Sequence, residues 1–351
     1  MAISVRLLRA NHGDCILVTH EGPERTFNLL IDGGNAATFQ YGPRGRYSGH
    51  LRSTLDELKS KDQLIDLAIL THIDDDHIAG MLKAFEADGY LSNMVKSIWF
   101  NSSRTITNYF KVPNIPENEV YLRDPAPETS VKQGKELEAL LGDIGCEQTP
   151  LVKAGQVINK GPFKFTILSP DEEKLRKLLC VWPTEVTSAD TAGAATDYSL
   201  SFQDILAADK FEADTSIANG SSIAFIAEAD GKAMLFLGDT HDETVLKTLS
   251  SMGYSATSKL SVELIKVSHH GSKYNTSPEF LSLINTKRYL ISTDGSRHGL
   301  PDKRTIARIL ASSEQGIVLF NYGEVIKRML LDGESDLYPG RLEALSEGIS
   351  L

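Results

Sequence analysis

Apolar and polar positions alternate from Ile3 to Leu8, and short apolar runs follow at Cys15–Thr19 and Phe27–Ile31. Period-two alternation and short apolar runs predict strands. The Glu-Gly-Pro-Glu stretch at 21–24 supplies turn chemistry between the second and third. Residues 65–70 form a further apolar strand, and a helix is predicted from near Met81 toward Ala87. Another helix is predicted over Leu51–Lys59, a strand over Val95–Phe100, and an amphipathic helix over 131–141. Between them, a polar loop is expected through Pro127.

The second half repeats this grammar. Strands are predicted near Gln156–Ile158 and over Phe163–Leu168, stopped by Ser169-Pro170, with a short helix at Glu172–Leu179. Residues 183–220 are poor in aliphatic side chains and read as a loop or insertion. Ser222–Ala227 and Lys232–Leu237 form a hairpin around Ala229-Asp230-Gly231. Then come helix Glu243–Leu249, strand Leu260–Val267, helix Pro278–Ile284, strand Arg288–Ser292, helix Lys303–Ala311, strand Ile317–Phe320 and a polar tail. Antiparallel hairpins mixed with strand–helix alternation predict an α/β protein, a four-layer αβ/βα sandwich in one domain spanning 1–351.

Composition narrows the class. The chain has 351 residues, 41% hydrophobic and 24% charged, enough for one large elaborated core. No run of about 18 apolar residues occurs, and Met1 leads directly into strand pattern, so neither a membrane span nor a signal peptide is expected. Cys15, Cys146 and Cys180 are odd in number and widely spaced, which fits reduced thiols in a cytoplasm. A net charge of −11 argues against tight nonspecific binding of duplex nucleic acid.

The chemistry sits where strands end. The strand at 65–70 runs into Thr71-His72-Ile73-Asp74-Asp75-Asp76-His77, and Gly80 follows. Lys232–Leu237 ends in Gly238-Asp239, and Leu260–Val267 ends in Ser268-His269-His270-Gly271-Ser272. His298 follows a fourth strand. Residues that each follow a buried strand can meet at one sheet edge, and carboxylates packed this closely with imidazoles need positive charge among them.

His72-x-Asp74-x-Asp76-His77 resembles the His-x-His-x-Asp-His motif of the metallo-β-lactamase superfamily, with Asp74 where most members have their second histidine. That variant, together with His269-His270-Gly271-Ser272, is similar to the metallo-hydrolase domain of ComEC-type DNA-uptake proteins. The resemblance covers 5–34, 65–80 and 219–311, and implies the metallo-β-lactamase-like four-layer sandwich. It also implies two divalent metal ions. His72 and Asp74 would hold the first, Asp76 and His77 the second, Asp239 would bridge them, and His298 would be the last ligand histidine. Asp32, in Leu-Leu-Ile-Asp-Gly-Gly, would accept a hydrogen bond behind the site, and the Gly13-Asp14 step is also a family feature. A further departure stands at Asn219, near which most members carry another ligand histidine; His269 or His270 would replace it. A set this rich in carboxylates shifts preference toward Mn2+ or Mg2+, while Zn2+ also suits its imidazoles.

The expected activity is metal-dependent hydrolysis through a metal-bridged hydroxide, oriented by Asp76, with phosphodiesters or nucleic acid as substrate. His269, His270 and His241 are candidates for protonating the leaving group. Tyr41, Arg44, Arg46 and Tyr47 form a loop able to hold a phosphate or stack on a base, which makes a single strand or a nucleotide the expected partner. Two other readings stay open: a lactone, ester or thioester hydrolase on the same scaffold, and a degenerate binding or regulatory protein.

Overall fold

In the computed structural model, residues 2–112, 129–144, 147–148, 150–181, 196–346 and 348–351 are described. The strands are β1 (Ala2–Leu7), β2 (Ile16–Glu21), β3 (Thr26–Ile31), β4 (Gln40–Tyr41), β5 (Tyr47–Ser48), β6 (Leu67–Ile69), β7 (Ser97–Trp99) and β8 (Glu147–Gln148). The second half adds β9 (Val157–Lys160), β10 (Phe163–Ser169), β11 (Ala224–Ala229), β12 (Lys232–Phe236), β13 (Leu260–Ser261) and β14 (Leu264–Lys266). It closes with β15 (Ile284–Asn285), β16 (Arg288–Ile291), β17 (Ile317–Phe320), β18 (Leu342–Ala344) and β19 (Ile349–Ser350).

Two mixed sheets result. The first runs β19-β1-β2-β3-β6-β7-β8 and the second β18-β17-β16-β14-β12-β11-β10-β9. Alternation along each strand decides what packs where. In β2, Ile16 and Val18 face the other sheet, where they join Phe165, Phe225, Met234 and Phe236 in a core between the sheets. Leu17 faces the opposite way, onto Leu51, Leu55, Ile78 and Leu82 of the helices His50–Ser60 and Asp75–Glu86. On the second sheet, Leu235 and Ile265 turn outward onto Val245, Ile306 and Ile309 of helices Asp242–Ser251 and Lys303–Ser312. Helix, sheet, sheet, helix is the four-layer αβ/βα sandwich read from the sequence.

Strand direction places the chemistry. β3 and β6 are parallel, and β12, β14, β16 and β17 are parallel to one another. Asp32, His72, Asp239 and His269 each follow the carboxyl end of such a strand, at one edge of the sandwich.

Several boundaries differ from expectation. The helix expected from Met81 begins at Asp75, so Asp75, Asp76 and His77 lie in its first turn. Acidic side chains are favoured there by the helix dipole. Gly80 is therefore inside the helix, where a Cβ would overlap the Gly33 carbonyl oxygen. The loop after β3 docks backbone to backbone on this helix: Gly33 N–H donates to His77 O at 2.7 Å, and Gly80 N–H to Gly34 O at 2.8 Å.

A helix at Ser103–Phe110, capped by the Ser102 hydroxyl, opens the region read as polar loop; positions 113–128 lie outside the described residues. Of the stretch read as a loop, 196–220 contains helix Phe202–Ala207, held by buried Phe202 and Ile205, and a turn at Ile217–Gly220. The remainder, 183–195, lies outside the described residues. The polar tail is also structured: helix Glu324–Met329 buries Val325 and Met329, and β19 pairs with β1 through Val5 and Ile349. Among the described residues, no helix is long and apolar enough to cross a membrane. Cys15 is a buried free thiol; the side chains of Cys146 and Cys180 lie outside the description.

Candidate metal centre

Asp239 occupies the middle of the cluster. Its Oδ2 lies 3.4 Å from Nε2 of His77, 3.5 Å from that of His270, and 3.9 Å from those of His72 and His269. Asp76 reaches His270 Nε2 at 3.2 Å and His77 Nε2 at 3.9 Å. Asp74 Oδ2 lies 3.5 Å from His72 Nε2. Asp74 is also the N-cap of its helix, yet its side chain makes no capping bond. It faces the imidazole instead of the helix end.

The imidazoles are turned by what holds their other nitrogen. His270 Nδ1 donates to the Ser292 carbonyl at 2.8 Å, so the lone pair of a neutral ring is on Nε2. His77 Nδ1 donates to Asp32 Oδ2 at 2.9 Å, with the same result. The Thr71 hydroxyl donates to Asp32 Oδ2 at 2.8 Å and so is left to accept from His72 Nδ1 at 3.1 Å. Asp32 thus orients one ring directly and the other through Thr71, as the acceptor behind the site that the sequence suggested.

Do these residues fit a metal? The Nε2 atoms of His72, His77 and His270 and the Oδ1 of Asp239 are buried and have no hydrogen-bond partner. Buried polar atoms are rarely left so, and here they converge on one another. His72, His77 and Asp239 form one group with metal-ligand spacing, and Asp76, His77 and His270 another. Ligand atoms about 2.0–2.1 Å from a cation stand roughly 3–3.5 Å apart in a tetrahedral or octahedral shell. The observed separations, 3.2 to 3.9 Å, lie at or slightly above that scale, so the donor set fits divalent metal.

Electrostatics agree. Burial opposes charge on His77, but Asp239, Asp76 and Asp32 outweigh it and hold the imidazole well above its usual range. Burial likewise opposes His270, and Asp239 and Asp14 raise it to about 10. Asp239 is pulled well below the carboxylate range, against its own burial, by His77, His270 and His269. The cluster favours positive charge, carried either by protons or by a metal, and the two compete.

His269 and His270 divide between the two sides of Asp239. His270 stands with Asp76, whereas His269 Nδ1 lies 3.4 Å from Asn219 Nδ2 and 3.6 Å from Asp214 Oδ2. His269 therefore occupies the neighbourhood where the superfamily motif has its other histidine. Both have left-handed backbones, with φ of 46° and 51°, followed by Gly271 at 89°. Consecutive non-glycine residues in that region carry strain, of a kind found at functional sites.

His298 is not brought in. It is exposed with φ of 56°, and among the described residues no ion pair joins it to the cluster. The expectation of a last ligand there finds no contact that supports it: β16 ends at Ile291, and Asp294, in the loop between, donates its N–H to Asn11 O.

Sequence reasoning named Asp14 only within the Gly13-Asp14 step, without a place in the cluster, and missed Asp214. Asp14 is buried, paired with buried Lys266, and 3.4 Å from His270 Nδ1; Lys266 and His270 hold its carboxyl at about 2 despite burial. A lone lysine inside the Leu260–Val267 run was the available signal, because a buried lysine needs a carboxylate. Asp214 lies between His269 and His241 and accepts from Asn219 and Asn275 at 2.8 and 3.0 Å. It falls in a stretch without periodicity, and nothing local marked it.

No family model matches the sequence. The chain is 19% identical over 331 residues to ComE operon protein 3 of Bacillus subtilis (strain 168), covering 91% of this chain and 33% of that protein. It therefore spans about a third of the length of that curated relative. Among solved structures, the metallo-β-lactamase fold protein YhfI from Bacillus subtilis is 12% identical with a TM-score of 0.41, over 99% of each chain. CmlA, a diiron β-hydroxylase from Streptomyces venezuelae, is 12% identical with a TM-score of 0.43, over 100% of this chain and 54% of that one. Four layers with a His/Asp cluster at one sheet edge give this chain the metallo-β-lactamase fold. Its motifs resemble that superfamily, and the weak similarity to ComE operon protein 3 accords with the ComEC-like resemblance.

Proposed function

We propose that this protein is a metal-dependent hydrolase of phosphodiesters, with a single nucleic-acid strand or a nucleotide as substrate. The observation that carries the hydrolase reading is the convergence of bare, buried Nε2 atoms of His72, His77 and His270 on Asp239. His72, Asp74, Asp239 and His269 would hold one cation, and Asp76, His77, His270 and Asp239 another. Bound divalent cations supply Lewis acidity toward a phosphoryl oxygen and lower the pKa of water.

The chain's own residues supply the rest. Asp32, Thr71 and the Ser292 carbonyl fix the three rings. Lys174 Nζ donates to His241 Nδ1 at 2.9 Å, which leaves the ring proton on Nε2, buried and 3.8 Å from Asp214. A carboxylate-rich donor set favours hard cations, and these suit phosphate oxygens. Tyr41 and Tyr47, both about half exposed, pair with ring centroids 5.4 Å apart on the β4–β5 hairpin, and Arg46 lies 5.8 Å from the Tyr47 ring. Such a surface supports base stacking beside a phosphate contact. The supporting likeness to ComE operon protein 3 covers a third of that protein.

The test is a panel of single-stranded DNA, RNA, cyclic dinucleotides, a small chromogenic phosphodiester and lactones, each with Mn2+ or Zn2+. Metal-dependent cleavage of phosphodiesters is expected. Cleavage of lactones alone, abolished by Asp239→Ala, overturns the phosphodiester reading.

A further inference from the structure

Three of the four imidazoles around Asp239 have their outer nitrogen held as described above: His77 by Asp32, His72 by Thr71 and His270 by the Ser292 carbonyl. The fourth is His269. Its side chain is 27% exposed, whereas those of His72, His77 and His270 are buried. A partly exposed ring has more rotamers open to it than a buried one, so its direction needs a cause.

Asn275 supplies that cause. It lies six residues further on, in the loop before helix Pro278–Ser282, and it is buried. Its Oδ1 is 2.9 Å from His269 Nδ1. Its Nδ2 is 3.0 Å from Asp214 Oδ2 and 3.2 Å from the carbonyl oxygens of both Asp239 and Thr240. A carboxylate and two carbonyls can only accept, so the amide NH2 must face them. The reverse orientation would set the amide oxygen against three other oxygens. Oδ1 is thereby turned to His269, and because it can only accept, Nδ1 is the nitrogen that carries the proton. The lone pair of a neutral ring is then on Nε2, the atom 3.9 Å from Asp239 Oδ2. Asp214 Oδ2, 3.6 Å from the same Nδ1, favours the proton there as well.

The amide is itself fixed. Arg308, almost fully buried, donates Nη1 to the carbonyl oxygens of Lys273 at 2.7 Å and Thr276 at 2.9 Å, on either side of Asn275. The Asp214 N–H donates to Tyr274 O at 3.0 Å, so the loop and the segment bearing Asp214 are joined backbone to backbone. Asp214 is held in turn by Asn219 Nδ2 and by the Ser216 N–H, each at 2.8 Å. Asn219, near which the superfamily motif has a further histidine, thus serves this network through its amide. Asn275 ties three pieces together: the His269 ring, the backbone of the turn that carries Asp239, and the Asp214 carboxylate. A buried amide with each of its polar atoms engaged has little freedom, and a ring held by it is set for a metal before the metal arrives.

We propose that Asn275 is a positioning residue of the metal centre, which fixes the tautomer and direction of His269 and ties that ring to the Asp239 turn. Its loss weakens the cation position that includes His269 and spares the one formed with Asp76, His77 and His270. The spared rings keep Asp32 and the Ser292 carbonyl, and Asp239 keeps its N–H bond to Ser222 Oγ at 3.0 Å. The proposal rests on the two-cation reading of the cluster and is independent of what is hydrolysed.

The test uses the full chain, labelled with 15N and saturated with Zn2+. Long-range 1H–15N spectra read the state of each imidazole nitrogen, with His269 assigned through His269→Gln. In the wild type, His269 should show a protonated Nδ1 and a zinc-bound Nε2. Zinc on Nδ1, or a His269 ring that binds no zinc, overturns the proposal before any variant of Asn275 is made. In Asn275→Ala the His269 pattern should be lost while those of His77 and His270 persist. Calorimetric zinc titration should show one binding step weakened by about 10–100-fold, the usual cost of losing an orienting partner, and the other changed by less than about threefold. An unchanged His269 pattern, or two steps weakened alike, makes Asn275 a residue that only closes its loop and overturns the proposal. Should the alanine variant fail to fold, Asn275→Ser takes its place with the same two outcomes, because its hydroxyl is one bond too short to reach His269 as Oδ1 does. Absence of zinc binding by the wild type overturns the metal centre and this role with it. Absence of phosphodiester cleavage by the zinc-loaded wild type overturns the substrate reading alone, while the spectra still decide the role of Asn275.

Discussion

Asp32 Oδ2 lies 2.9 Å from His77 Nδ1, and both side chains are buried. The same carboxylate receives the Thr71 backbone N–H at 2.7 Å and the Thr71 hydroxyl at 2.8 Å, so one group aims His77 and, through Thr71, His72. Asp32→Ala is expected to lower metal affinity by about 10–100-fold, the usual cost of losing such an orienting partner. Metal titration of the purified variant checks this. Unchanged affinity would mean that packing alone fixes the rings.

Asp239 contacts four imidazoles, so its loss should damage every part of the site at once. Asp239→Ala is expected to reduce turnover more than about 100-fold and to lower metal content, with the circular-dichroism spectrum retained. Chelation of the wild type should abolish activity, and Mn2+ or Zn2+ should restore it. Wild-type turnover with full metal content in the variant would remove Asp239 from the centre.

Gly80→Ala places a methyl group against the Gly33 carbonyl oxygen, a backbone atom that cannot swing aside. The loop after β3 and the helix carrying Asp76 and His77 must then separate. We expect a loss of about 1–3 kcal/mol, within the range for overpacking, together with weaker metal binding. Denaturant melts and metal titration read the two effects.

The same contact explains what the sequence made legible. His72, Asp76, His77 and Asp239 were visible because each directly follows a short apolar run, and strand direction alone brings such ends together. Gly80 read as a helix start, because a glycine inside a helix costs stability and only the approach of Gly33 accounts for it. Asp214 was hidden for a different reason. It reaches His269 and His241 from a segment held by Phe202, Ile205 and Asp209, and no local period encodes that long-range anchoring. His298 shows the converse: a residue that follows a strand need not join the cluster, and this one is exposed.

Asp209 anchors that segment. It receives Nε and Nη2 of Arg308, each at 2.8 Å, and Nη1 of Arg304 at 3.1 Å. The Arg308 hydrogen bonds hold its carboxyl below the usual range, against its partial burial. A lowered folded-state pKa contributes stability above the unfolded value of about 3.9, and this is lost as pH falls through the folded value. Asp209→Asn should cost on the order of 3 kcal/mol at pH 7, because Arg308 is almost fully buried and would lose its counter-charge. Below about pH 3.9 the gap between wild type and variant should narrow. A gap that stays constant down to pH 2 would show that the charge of Asp209 contributes nothing.

Asp74 tests the metal preference. It stands where the superfamily motif has histidine, 3.5 Å from His72 Nε2, and its carboxylate is about a third exposed. As an N-cap without a capping bond, it gives its helix no hydrogen bond that a substitution would remove. Asp74→His should therefore leave stability nearly unchanged and alter the donor set alone. Imidazole is a softer ligand than carboxylate, and zinc accepts nitrogen donors more readily than manganese does. The ratio of zinc to manganese affinity should rise in the variant, by about tenfold if the new ring enters the coordination shell, equivalent to ~1.4 kcal/mol. Competitive loading with both metals, followed by elemental analysis, measures that ratio directly. If it does not change while His72→Ala does change it, Asp74 is not a ligand, and its carboxylate acts only as a nearby charge.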